Sequence, residues 1–138
     1  MTQLTDPGAV CLHFGECGGC QYQDVARDEQ LARKSAHLAS LFGAHWTRPI
    51  PVEPSPIQWH YRNKVDLNFA GKFYDVPPPK DFVRETMLGY KRKGRWFDPL
   101  DIAECRIGPE GLSGLVDSVR AWYRRLGLTA YNTRNHSG

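Results

Sequence analysis

Residues 87–99, MLGYKRKGRWFDP, decide the fold. Leu88 and Tyr90 alternate along one arm and Trp96 stands on the other, with Lys93-Gly94 at or near the turn. Period-two alternation broken by a glycine-bearing turn is the pattern of a β-hairpin. Upstream, HYRNKVDLNFAG (60–71) also alternates. Val65, Leu67 and Phe69 face one way, and Lys64, Asp66 and Asn68 the other. That spacing predicts a half-buried strand with one wet face.

Two helices flank these strands. From Asp24, DVARDEQLARKSAHLASLFG places Val25, Leu31, Leu38 and Phe42 at roughly helical spacing. Asp24 is the expected N-cap, Asp28 and Glu29 suit the positive end of the macrodipole, and Gly43 is the expected stop. The second helix is expected to open at Pro109. Leu112, Leu115, Val116, Val119, Trp122 or Tyr123, and Leu126 line one face, and Gly127 ends it. TRPIPVEPSP (47–56), with Pro49, Pro51, Pro54 and Pro56, is extended linker. VPPPKD (76–81) is a loop, and IAECRIG (102–108) is short and irregular.

The order loop, helix, strand, hairpin, loop, helix is α+β: a small antiparallel sheet with two helices. About three strands lie near the lower limit for independent stability, so an incomplete domain is expected. Residues 1–10 are expected as a flexible lead-in, 11–128 as the domain and 129–138 as a polar tail.

A chain of 138 residues with 41% hydrophobic residues can form one core, and its 13 glycines and 10 prolines make that core loop-rich. No run of 18 apolar residues exists, so a membrane span is not expected. The opening MTQLTDPGAV has no basic flank or apolar h-region. A cytoplasmic location is therefore the expectation, where thiols stay reduced and a disulfide framework is disfavoured. The net charge of +3 is mild. Its distribution says more: GYKRKGR (89–95) carries Lys91, Arg92, Lys93 and Arg95 with no acid among them. Such a block is either a solvated turn or a phosphate contact.

The thiols are concentrated. CLHFGECGGC (11–20) holds Cys11, Cys17 and Cys20, and the fourth, Cys105, comes 85 positions after Cys20. Four thiols complete a closed shell that zinc and iron–sulfur clusters both accept. A zinc ribbon would show two C-x2-C pairs roughly 15–20 residues apart. One such pair is present here. Three ligands on one glycine-rich loop suit a cubane cluster, with the glycines admitting backbone amides and Cys105 pinning the loop. Against this stand unrelated buried thiols, or a zinc site that recruits His13. No cysteine has a neighbouring histidine in a recognisable catalytic pattern.

CLHFGECGGCQYQ (11–23), a helix with a central Lys34, YRNKV (61–65), LGYKRKG (88–94), then Asp and Cys105 before a helix ending in GLTAYN (127–132) together resemble a known family. It is that of the iron–sulfur-containing RNA uracil-5-methyltransferases, in particular those acting on 23S ribosomal RNA. The resemblance spans roughly residues 11–133, and its cysteine segment is the most specific part. It implies a 4Fe-4S cluster on Cys11, Cys17, Cys20 and Cys105, within the RNA-recognition part of the enzyme. It also implies a C-terminal Rossmann-like domain that binds S-adenosylmethionine, packs against this one, and supplies a cysteine nucleophile for C6 of uracil and a glutamate base. Close transfer RNA relatives lack the cysteine set, so the resemblance points to ribosomal RNA.

The chain departs from that pattern. Only ten residues precede Cys11, so the OB-like domain of some members is expected to be absent. No cysteine and no glycine-rich cofactor loop follow Cys105. The expectation is an N-terminal fragment, catalytically inactive alone, with a structural cluster. A zinc-stapled nucleic-acid-binding module without enzymatic activity is the alternative. For RNA, Arg62, Asn63 and Lys64 offer phosphate or base-edge contacts, as do Lys91, Arg92 and Lys93 at the hairpin tip. His13, Phe14 and Tyr22 offer rings for unpaired bases. The competing reading is that the loop aromatics exclude water and the lysines protect a sheet edge.

Overall fold

A computed structural model describes residues 10–131. Of the expected lead-in (1–10) and tail (129–138), residues 1–9 and 132–138 lie outside the described residues. The described residues divide into two compact units, residue 10 with 22–58 and residues 11–21 with 59–131.

The first unit carries one helix, α1 (Arg27–Phe42). Its composition favours helix, and Glu29 pairs with Arg33 one turn on. The helix starts later than expected. Asp24 is not the cap: Ala26 holds that position, without a side-chain capping bond. The reason is a turn over Tyr22–Val25, closed when Gln30 Nε2 donates to the carbonyls of Tyr22 and Val25 at 2.9 and 2.8 Å. Asp28 and Glu29 occupy the first turn, and Gly43 is the C-cap as expected. No residue of α1 is buried within its unit. The proline segment 47–56 has no regular structure. It is tied back where Arg27 donates to the Ser55 carbonyl.

The second unit contains β1 (Asn68–Gly71), β2 (Thr86–Arg92), β3 (Arg95–Asp101) and α2 (Leu112–Arg125). The strands form one antiparallel sheet in the order β1-β2-β3. With two helices in all, the described residues make the small α+β arrangement the sequence predicts. The hairpin turn falls on Lys93-Gly94, and Gly94 sits at φ 73°, where a side chain is disfavoured.

Two expectations are corrected. Of the strand predicted over 60–71, only the last four residues pair. The amides of His60 and Arg62 instead donate to the carbonyls of Arg106 and Ile107, at 2.8 and 2.9 Å. The backbone there is committed to the loop before α2. Its alternation still has a structural use, since Val65 and Leu67 pack against the core. The second helix starts at Leu112 rather than Pro109, because Gly111 adopts a left-handed conformation (φ 82°) as N-cap.

The core consists of Leu88, Leu100, Ile102, Cys105, Ile107, Leu112, Val116 and Tyr123. On α2 the buried line is Leu112, Val116 and Tyr123, with Val119 half-buried between them. Leu115, Trp122 and Leu126 fall on a second line and stay half or more exposed. At about 100° per residue the apolar positions divide into two stripes, and the sheet covers only one.

Candidate functional site

The cysteine loop is shaped by its own backbone. The amide of Phe14 donates to the Cys11 carbonyl at 2.9 Å, and that of Cys17 to the His13 carbonyl at 2.8 Å. The loop then docks on the hairpin. Cys17 bridges Arg92 in antiparallel fashion. Gly18 N–H donates to the Lys91 carbonyl at 3.0 Å, and Lys93 N–H to the Glu16 carbonyl at 2.7 Å. Since β3 covers the other side of β2, the loop continues the edge that β1 covers up to Gly89. Gly18 is small for a reason: a Cβ there would stand 3.2 Å from the Lys91 oxygen. A side-chain pair, Arg92 with Glu16, reinforces the bridge.

All four cysteines are free thiols. Cys105 is buried in the core, and Cys17 and Cys20 pack against it half-buried. Burial pushes the Cys17 thiol up from its ordinary value; the Gly19 amide opposes this, and the nearby Cys20 and Cys105 sulfurs add to it. Cys11, also buried, lies beside the segment carrying Cys105. Burial raises its thiol pKa, the His13 and Arg106 amides lower it, and the Glu104 carboxylate raises it. The Leu12 amide donates to Glu104 Oε1 at 2.9 Å, fixing the loop to the Cys105 segment.

Tyr90, half-buried on β2, brings its hydroxyl to 3.5 Å from Cys105 Sγ. Burial and then Cys105 push its phenol far up, while the Arg62 charge pulls the other way. Tyr90, Glu104 and Arg106 were not singled out by the sequence. Tyr90 carried a signal, its parity with Leu88 on the arm leading to the core. Glu104 and Arg106 carried only their adjacency to Cys105.

A backbone amide is aimed at a thiol sulfur, Gly19 N–H at Cys17 Sγ (3.3 Å). Such donors stabilise thiolates and cluster sulfurs, and the all-thiol donor set suits zinc or an iron–sulfur group. Among the described residues, however, no three His, Cys, Asp or Glu side chains stand close enough together to hold a metal ion.

The expected RNA-contacting residues have varied environments. His13 accepts the Ala103 amide on Nε2 at 2.9 Å, so its ring fastens the loop to the segment after β3. Phe14 is half-buried, while Arg62, Asn63 and Lys64 are exposed. Lys64 makes a loose 3.6 Å pair with Asp66, both side chains about four-fifths exposed. Arg92 is committed to Glu16 and to Asp98, the latter at 3.4 Å. Among the described residues Lys91 and Lys93 have no carboxylate partner, so they carry the unpaired positive charge at the hairpin tip. Tyr22 and Lys34 belong to the first unit, where both are exposed.

No protein-family model matches the chain. It is 31% identical over 130 residues to an uncharacterized RNA methyltransferase of Thermotoga maritima, covering 93% of this chain and 26% of that protein. It is 30% identical over 135 residues to an uncharacterized RNA methyltransferase of Clostridium tetani, covering 94% and 27%. It is 27% identical over 131 residues to a tRNA (uracil(54)-C(5))-methyltransferase of Pyrococcus furiosus, covering 95% and 28%. The chain thus spans about a quarter of the length of the curated relatives it matches. Over more than nine-tenths of its own length it is similar to RNA methyltransferases, a uracil-5-methyltransferase among them.

Proposed function

We propose that this chain is the cluster-bearing, RNA-recognition part of an S-adenosylmethionine-dependent RNA (uracil-5-)-methyltransferase. The observation that supports this most is the similarity to RNA methyltransferases across almost the whole chain. Cys11, Cys17, Cys20 and Cys105 hold a 4Fe-4S cluster in this reading. Its support is the resemblance, the set of four free thiols and the Gly19 amide aimed at Cys17 Sγ. To hold a cluster the four side chains must draw closer together than they stand here. The cluster ties the loop to the Cys105 segment, and methyl transfer to a pyrimidine requires no electron from it. Methyl transfer itself is assigned to a separate S-adenosylmethionine-binding domain. A cytoplasmic location, which keeps the thiols reduced, belongs to the same proposal.

The finer substrate, 23S ribosomal RNA, rests on the sequence resemblance alone. The transfer RNA enzyme among the relatives removes any reason to choose ribosomal RNA from likeness by itself. Competition binding between 23S ribosomal RNA fragments and transfer RNA decides between them, with preference for the ribosomal fragments as the expected outcome.

Anaerobic purification followed by iron, sulfide and zinc analysis tests the cluster. About four irons and four sulfides per chain are expected. Stoichiometric zinc without sulfide would replace the cluster with the zinc-stapled module.

A further inference from the structure

Among the described residues of the second unit, the most exposed aromatic ring lies three and five positions after Lys93 and Lys91, which have no carboxylate partner there. Trp96, the second residue of β3, is 80% exposed. So large an apolar ring in water contributes little to a core, and with the neighbouring Phe97, itself 43% exposed, it makes a contiguous apolar patch of the kind that marks a contact surface. The indole is not loose. Its ring meets Phe97 edge-on at 5.7 Å with an interplanar angle of 86°. Phe97 in turn packs against Phe73 at 4.9 Å. The Arg95 guanidinium lies 5.2 Å from the Phe73 ring and 5.5 Å from the Phe97 ring. Arg95 is itself held by Asp98 at 3.4 Å and Asp75 at 3.2 Å. The result is a buttressed flat surface at the base of the hairpin turn, with Lys91 just before that turn and Lys93 in it.

We propose that Trp96, backed by Phe97, stacks on an unpaired RNA base while Lys91 and Lys93 contact the adjoining phosphates. The proposal deepens the RNA-recognition reading and rests on it. The chemistry that selects this occupant is the pairing of an exposed π-face with uncompensated positive charge, which matches a single-stranded nucleic acid. Phe97, Phe73 and Arg95 are positioning residues, since they hold the indole rather than meet the base.

The test measures binding of the purified chain to a fluorescently labelled single-stranded RNA oligonucleotide by anisotropy, across a salt series. Trp96→Ala is expected to lose affinity about tenfold or more with an unchanged salt slope, because stacking releases no counterions. Trp96→Phe should recover part of that loss. Lys93→Ala should lower the salt slope by about one unit. Trp96 is so exposed that Trp96→Ala should leave the thermal midpoint unchanged, which separates binding from folding. If the wild type binds and Trp96→Ala binds equally well, the stacking assignment fails while RNA recognition stands. If the wild type binds no RNA, both fail together.

Discussion

Gly89 shows how one residue can be required by backbone contact alone. It sits in the middle strand, paired with Asn68 on one side and Asp101 on the other. A Cβ there would lie 2.2 Å from the Leu100 carbonyl oxygen and 2.9 Å from Ile102 Cγ2. The first is a backbone atom and cannot rotate away, so Gly89→Ala must push β3 off the sheet. A loss of about 3 kcal/mol or more is expected, read as a lower urea midpoint. Gly94→Ala makes the comparison, since it meets open space and bears only the strain of φ 73°. Its expected cost is about 1 kcal/mol. Equal midpoints for the two variants would contradict the packing argument.

At the scale of elements, the hairpin is held by a carboxylate the sequence did not single out. Asp98 is buried at 8% exposure and stands 3.4 Å from both Arg92 Nε and Arg95 Nε. It keeps two like charges together at the end of the ladder, beside the irregularity at Lys91/Arg92. Asp98→Ala removes the buried carboxylate that the two guanidiniums share and leaves each with one exposed partner, Glu16 or Asp75, so a loss of about 2 kcal/mol is expected. Because Arg92 also holds Glu16, the loop bridge should loosen too. Hydrogen exchange at the Lys93 amide, bonded to the Glu16 carbonyl, should quicken more than at Leu88. Similar protection at both sites would separate Asp98 from the bridge.

The contrast between these elements explains what the sequence revealed. The hairpin and both helices were legible because alternation, a Lys-Gly turn and helical spacing are local signals. The first eight residues of the 60–71 strand do not pair because the His60 and Arg62 amides bond to Arg106 and Ile107, more than forty residues away. The Tyr22–Val25 turn displaced the expected Asp24 cap through Gln30, whose side chain looked like an ordinary helical residue. In the site, the clustering of three cysteines was visible. That their loop lies along the basic hairpin was not, because the Cys17–Arg92 bridge spans 75 positions with no local mark.

For the whole molecule, the question is whether Cys105 is a core residue or the closure of one site. It packs with Leu88, Ile102 and Ile107 and is 8% exposed, so Cys105→Ser is destabilising on packing grounds alone. Stability of that one variant therefore decides nothing, but its comparison with Cys17→Ser does. Cys17 is half-buried on a surface loop, and as a simple thiol it should tolerate serine with a loss below about 1 kcal/mol. If the four cysteines share a cluster, each substitution removes a ligand of the same group. Both variants should then lose iron and sulfide, and their thermal midpoints, measured anaerobically, should fall by similar amounts. Tyr90→Phe removes the hydroxyl near Cys105 without removing a ligand, so its iron content should stay near that of the wild type. Iron retained in Cys105→Ser, with a midpoint loss well above that of Cys17→Ser, would return Cys105 to the core as an ordinary buried thiol.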